Sequence, residues 1–206
     1  MKRIWVFIPI LLALSMACRK GQDEALPRDT DESAREEASA AADDVYVGEA
    51  NEAIRVLQAG LVEALTGGMK EGGPPSAIHV CRDEAQTITD GVARETGIEV
   101  GRTSHRLRNP INAPRPWAEA LVREAAGMKT SEVEAHVVDL GDRVGVLKPI
   151  NTLGLCTNCH GAPDAIEASV RQALADAYPE DDAVGFTVGD LRGWMWAEVP
   201  KEPRAP

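Results

Sequence analysis

Cys156-Thr157-Asn158-Cys159-His160 is the stretch on which the reading of this chain turns. Cys-x-x-Cys-His is the attachment pattern for c-type haem. The chemistry explains the spacing. Two thiols add across the two vinyl groups on one edge of a porphyrin, and two intervening residues set the sulfurs at the separation of those vinyls. The next residue then lies under the ring, where its imidazole can ligate the iron. With four Cys and four His in 206 residues, chance supplies about 0.0015 such runs. Cys156 and Cys159 are therefore expected to hold one covalent haem c, with His160 as an axial ligand.

Three other chemistries use the same residue types. A redox dithiol of thioredoxin type needs a strand before the first Cys and a helix opening at it. Here Pro149-Ile150-Asn151-Thr152-Leu153-Gly154 reads as loop, and no βαβ unit is evident. A zinc site could draw on Cys81, Cys156, Cys159 and His160, but it has no second paired spacing. A disulfide across two residues is strained and rare as a staple.

Upstream, Lys2 and Arg3 precede an almost wholly apolar run from Ile4 to Ala17, and Arg19 and Lys20 close it. That run is too short to span a bilayer as a helix and fits the apolar region of an export signal. Its end, Leu14-Ser15-Met16-Ala17-Cys18, resembles a bacterial lipoprotein signal, with Ser15 where Leu usually stands. Residues 1–17 are expected to be removed and Cys18 to carry lipid. Export agrees with haem c, which is attached outside the cytoplasm. The expected location is the periplasm or cell envelope, with a lipid anchor to a membrane.

The charge supports this division. Lys and Arg number 22 and Asp and Glu 33, for a net charge of −11. A chain this acidic lacks the clustered cations that bind nucleic acid. It will not adhere to anionic lipid by charge either, so membrane attachment must come from acyl chains. Residues 18–44 combine the lipidated Cys with a segment of four basic and nine acidic side chains and one Leu, expected to be a disordered tether. Pro200, Pro203 and Pro206 mark residues 200–206 as a tail.

The body is expected over residues 45–199. Ala50, Ala53, Ile54, Leu57, Leu61, Ala64 and Leu65 keep helical spacing over about 47–66. Gly67, Gly68, Gly72, Gly73, Pro74 and Pro75 break it. A second helix is expected over 76–93, where Ala77, Cys81, Ala85, Ile88 and Val92 share one face. Residues 98–108 read as extended, Pro110, Pro114 and Pro116 as loop, and 117–126 as a short helix. Alternation over 133–146 about Leu140-Gly141-Asp142 predicts a hairpin. A helix over 164–177 and strands over 184–187 and 191–199 complete an α+β fold.

Lipid takes Cys18 and haem takes Cys156 and Cys159, which leaves Cys81. A lone thiol in an oxidising compartment must be buried, paired or metal-bound. On the apolar face of its helix, Cys81 suits either a small buried hydrophobe or an iron ligand. His79, His105, His136, Met69, Met128 and Met195 are the other candidates for the second axial position. His79, two residues from Cys81 on one helix, points away from that face. Arg102, Arg106 and Arg108 would share one strand face and could pair with the haem propionates.

The residues also resemble a family of single-haem c-type proteins with a PAS-like fold, a domain of unknown function. Its relatives include an orphan cytochrome and periplasmic haem-sensor modules. The likeness is carried by Ala77-Ile78-His79-Val80-Cys81, by Val100-Gly101-Arg102-Thr103-Ser104, and by Arg106-Leu107-Arg108-Asn109-Pro110 with Asn112, Pro114 and Trp117. Further on it is carried by Lys148-Pro149-Ile150, Cys156 to Gly161, Tyr178-Pro179-Glu180-Asp181 and Gly189-Asp190-Leu191-Arg192-Gly193. The resemblance implies a central antiparallel sheet cradling the haem, and iron held by His160 and by a cysteine at the position of Cys81. His105 departs from it, standing where an apolar residue is familiar. The function implied is redox or small-ligand (gas) sensing through an unidentified redox or signalling partner, with electron transfer as the alternative. Thiol–disulfide exchange through Cys156 and Cys159 is a third reading and the only enzymatic one. No spacing of Asp, Glu and His singles out a hydrolytic set.

Cys18→Ser should move the protein from the membrane fraction to the soluble fraction of the cells that make it. Equal solubility of both forms would end the lipoprotein reading.

Overall fold

The computed structural model describes residues 29–201, with side chains from residue 44. The signal, Cys18 and the last five residues of the tail lie outside the described residues. The chain divides into two compact units, 1–37 and 38–206. Of the first, residues 29–37 are described and are helical. The second holds everything that follows.

Helix α1 is assigned over Asp29–Thr96, but its torsions leave helical values at Gly72 and Gly73, with φ of −155° and +70°. Only glycine takes the second pair of torsions without strain. Pro74 and Pro75 follow at the start of the next turn, where a missing N–H costs nothing. The expected break is thus a reversal between two helices. A Cβ at Gly60 would lie 2.9 Å from Ile88 Cγ2, and one at Gly68 would lie 2.7 Å from the Ala77 Cα. Residues early in the first segment face residues late in the second, so the two run antiparallel, closely spaced at their glycines. Residues 29–44, expected as tether, are helical here. Their alanines, glutamates and arginine are strong helix formers, a preference that a reading by charge alone overlooked.

The sheet contains β1 (Glu99–Thr103), β2 (His136–Asp139), β3 (Arg143–Asn151) and β4 (Leu191–Pro200). The order is β1-β4-β3-β2, antiparallel throughout. Helix α2 (Glu119–Glu124) and helix α4 (Ala168–Ala177) fall inside the expected spans, and a one-turn α3 (Thr157–His160) lies within the Cys-x-x-Cys-His run. Three expectations need correction. Pro149, Ile150 and Asn151, read as loop, are the end of β3, because they pair with Trp194, Gly193 and Leu191 of β4. Residues 184–187 form no strand, because their backbone groups bond to the loop at 160–161 instead of a neighbouring strand. The extended stretch over 98–108 is a strand only to Thr103, so Arg106 and Arg108 share no strand face with Arg102.

Both faces of the sheet are covered. Val100, Val144, Val146, Ala197 and Val199 pack on Ala50, Ala53, Ile54, Leu57 and Val92 of the helical hairpin. Leu147, Leu191 and Trp194 pack on Ala118, Val122 and Ala125 around α2. Each of the larger side chains contributes about 1.5–3 kcal/mol by leaving water. A third cluster, Ile78, Ile166, Val170, Leu174 and Tyr178, joins α4 to the second helix of the hairpin. The α+β reading holds. Among the described residues no helix is long and apolar enough to cross a membrane.

One buried acid braces the sheet. Glu198, 3% exposed, accepts from Arg115 Nε at 2.6 Å, Trp117 Nε1 at 2.8 Å and Arg143 Nη1 at 3.0 Å. Burial alone would raise its pKa, but these donors outweigh burial and hold it below the ordinary 4.5. A depressed carboxylate stabilises the fold above its unfolded pKa, and that contribution is lost as pH falls through the folded value. Urea unfolding between pH 7 and pH 3 should therefore show a shallower acid loss of stability in Glu198→Gln than in the wild type.

Candidate functional site

A cavity of about 390 Å³ opens between the helical hairpin, the first turns of the sheet and the loop carrying Cys156. Nine candidate residues singled out from sequence line it: Cys81, Arg102, Arg106, Arg108, Cys156, Cys159 and His160, with Met69 and Met195. Cys81 comes from the second helix of the hairpin and His160 from the one-turn α3. Leu61, Leu65, Ala77 and Ile78 supply an apolar lining, and Arg192 enters from β4. Val62, Leu153 and Leu155 also face it, each more than half exposed. Such a set of solvent-facing apolar side chains around one hollow suits an apolar occupant.

His160 is held in one orientation. Its Nδ1 donates to the Ala183 carbonyl at 2.7 Å. A carbonyl can only accept, so the proton is on Nδ1 and the lone pair is on Nε2. Burial first, then Arg192, Arg108 and Arg102, pushes the imidazole pKa down to about 2. A neutral ring with a free Nε2 is the form that ligates metal. Phe186 stands edge-on to it, 6.3 Å between centroids.

The loop 181–186 straps the Cys-x-x-Cys-His turn in place. Phe186 N donates to His160 O at 2.8 Å and Gly185 N to Gly161 O at 2.7 Å. Arg108 ties both sides together. Its Nη2 donates to Cys159 O at 2.6 Å and its guanidinium pairs with Asp181 at 3.0 Å. The Asp181 carboxylate in turn accepts from Ala183 N at 2.8 Å.

Four arginines around one hollow are an unusual charge load. Arg106 donates to Val184 O at 2.6 Å, and Arg192 donates to Ser104 Oγ at 3.2 Å while its buried Nε has no partner. The Arg102 guanidinium makes no hydrogen bond or ion pair to protein among the described residues. Burial lowers the pKa of Arg102, and burial with Arg108 lowers that of Arg192 to about 10. Both remain cations at neutral pH, and both want an anion. Arg192 was not singled out from sequence, because one Arg among apolar strand residues has no spacing signal.

Cys81 is half-buried and unpaired. Burial raises its thiol pKa, Arg102 and Arg108 draw it back, and Glu84 opposes them. Burial likewise raises that of Cys159. The zinc alternative loses ground, since no three His, Cys, Asp or Glu side chains converge on a point among the described residues. For the dithiol alternative, β3 does supply a strand ending at Asn151, but the helix that follows, α3, lasts one turn and the sheet is antiparallel with no βαβ unit among the described residues.

The remaining candidates separate cleanly. Met69 and Met195 line the cavity. His79 is exposed. His105 packs against Phe186 at 5.8 Å, and His136 against Trp194 at 5.5 Å. Met128 joins the cluster around α2. Cys18 lies outside the described residues.

The family model described as Tll0287-like matches residues 24–200. Among solved structures, the crystal structure of the cyanobacterial heme-protein Tll0287 is similar to the chain. The two are 26% identical, with a TM-score of 0.53 over 72% of this chain and 93% of the other. With that likeness, the α+β arrangement is PAS-like. No curated protein matches the chain.

Arg108→Ala should leave Asp181 buried without its partner and release the Cys159 carbonyl. Breaking such a pair costs about 3 kcal/mol. A urea midpoint unchanged from wild type would show that Arg108 does not hold the strap.

Proposed function

The chain belongs to the Tll0287-like family, and on that premise we propose that it is an exported, lipid-anchored c-type protein with one haem that works in redox or small-ligand sensing. The observation that carries the reading is the convergence of Cys156, Cys159, His160 and Cys81 on one cavity. The similarity to a heme-protein supports it. The residues fit the group in three respects. Two thiols stand at the right spacing beside a neutral imidazole whose Nε2 is free. Exposed apolar side chains ring the hollow. Arg192 has a buried Nε without a partner, and the partly buried Arg102 guanidinium lines the same hollow.

Each group has a task. Cys156 and Cys159 would hold the group through two thioether bonds. His160, held by Ala183, would offer Nε2 to the iron. Cys81 would offer its sulfur as thiolate, with Arg102 balancing part of its charge. Arg102, Arg106, Arg108 and Arg192 offer guanidinium donors to two propionates. Arg108 also keeps the attachment turn on the strap. Leu61, Leu65, Leu153 and Leu155 exclude water from the ring.

Haem bound there supplies a one-electron couple and an iron that takes up a diatomic ligand when a side chain leaves it. Thiolate donation favours the ferric state and lowers the potential, which suits a sensor poised at low potential more than a carrier. The helix bearing Cys81 packs against α4 through Ile78. Release of Cys81 would therefore be felt on the protein surface, where a partner can read it. No catalytic role is assigned.

Protein made in cells competent for haem attachment should keep its colour through a denaturing gel stained for haem peroxidase activity. Cys156→Ala together with Cys159→Ala should abolish the stain. A colourless wild-type band would overturn the haem reading. Spectra with and without CO then decide the role: CO uptake by the reduced protein supports sensing, and refusal of CO supports electron transfer.

A further inference from the structure

The sequence offers six residues besides Cys81 for the second axial position, and the fold leaves two. His79 is exposed, His105 and His136 pack on Phe186 and Trp194, and Met128 sits among the side chains around α2. Met69 and Met195 line the cavity together with Cys81.

These two methionines differ in freedom. Met195 is 5% exposed and lies in β4. Its strand is paired on both sides, with Arg102 on β1 and Lys148 on β3 as its register partners. Moving it would break two ladders. Met69 is half-buried near the end of the first helix of the hairpin. Gly67, Gly68, Gly72 and Gly73 surround it within seven residues. Glycine weakens a helix by about 1 kcal/mol relative to Ala, and Gly72 and Gly73 have already left helical torsions. Gly68 itself packs closely on Ala77, so the freedom lies at the Gly72–Gly73 reversal, three residues after Met69. Methionine itself adds three rotatable bonds and a polarizable thioether.

The chemistry of the two sulfurs is complementary. An anionic thiolate favours Fe(III), whereas a neutral thioether opposite histidine favours Fe(II) and raises the potential. We propose that Met69 is the ligand of the reduced iron, replacing Cys81 when an external one-electron donor reduces the haem. This rests on the haem reading above. One electron enters the iron. The bond to Cys81 Sγ breaks with its electron pair on sulfur, and the thiolate stays beside the Arg102 guanidinium. Met69 Sδ donates a pair to the vacated position. The two ligands come from the two helices of the hairpin, one on each side of the Gly72–Gly73 reversal. Exchange between them shifts the load from one helix to the other, and this gives the hairpin two arrangements set by iron state.

The test uses the purified haem-bearing protein, reduced anaerobically with dithionite, in wild-type, Met69→Leu and Met195→Leu forms. An alkaline pyridine spectrum measures bound haem independently. The wild-type ferrous protein should be six-coordinate and low-spin, with one methionine methyl resonance shifted far upfield by the ring. Met69→Leu should lose both features and bind CO faster, with its ferric spectrum unchanged. Met195→Leu should match the wild type. Haem present but ferrous spectra identical in wild type and Met69→Leu would overturn the assignment of Met69. So would a five-coordinate wild-type ferrous protein, or loss of the shifted methyl in Met195→Leu alone. Absence of haem from the wild type would overturn the underlying reading as well.

Discussion

The hydrogen bond from His160 Nδ1 to the Ala183 carbonyl, 2.7 Å long, sets the geometry on which the site depends. It fixes the tautomer, and the tautomer fixes which nitrogen faces the cavity. The carbonyl is itself positioned. Ala183 is fully buried, its N–H bonds to Asp181, and Asp181 pairs with Arg108. Arg108 returns to the Cys159 carbonyl, one residue from where the circuit began. A closed ring of hydrogen bonds, charge-assisted at Asp181 and Arg108, resists deformation better than its members separately. This lets a four-residue helix and a strand-free loop act as a rigid wall.

The opposite wall is built on other terms. The helical hairpin carries Cys81 and Met69, and close approach at Gly60 and Gly68 brings its two helices together over the sheet. Apolar packing on Val100, Val144 and Ala197 holds the hairpin to the sheet. One wall is thus fixed by hydrogen bonds and the other by burial, with a glycine turn at its end. Four guanidinium groups between the walls repel one another, and burial makes each cation costly. That cost is why the cavity suits an occupant with carboxylates at one edge and an apolar body.

Much of this was legible in the residues. The Cys-x-x-Cys-His run pointed to haem by spacing alone, in line with the similarity to a heme-protein. The apolar period before Gly67 and after Pro75 gave both helices, and the hairpin over β2 and β3 came from alternation about Leu140-Gly141-Asp142. Cys81 was flagged because cysteine arithmetic left it over. The strap over 181–186 was not legible. Its backbone groups bond to a loop distant in sequence, so no period marks it, and Val184 to Thr187 read as a strand. Arg106 and Arg108 reached the cavity by a loop rather than along a strand, so the right residues were chosen on the wrong geometry. Arg192 needed coordinates, since a single Arg has no pattern to reveal it, and Met69, one of six sequence candidates, needed them to be told apart from the rest.

The central claim is that Cys81 and His160 hold one iron between these two walls. Electron paramagnetic resonance of the ferric protein tests it most directly, because thiolate and imidazole on opposite sides of a haem give a low-spin signal of narrow g-spread. The account predicts that signal in the wild type and its loss in Cys81→Ala. A high-spin signal, or a low-spin signal that survives Cys81→Ala unchanged, would contradict it.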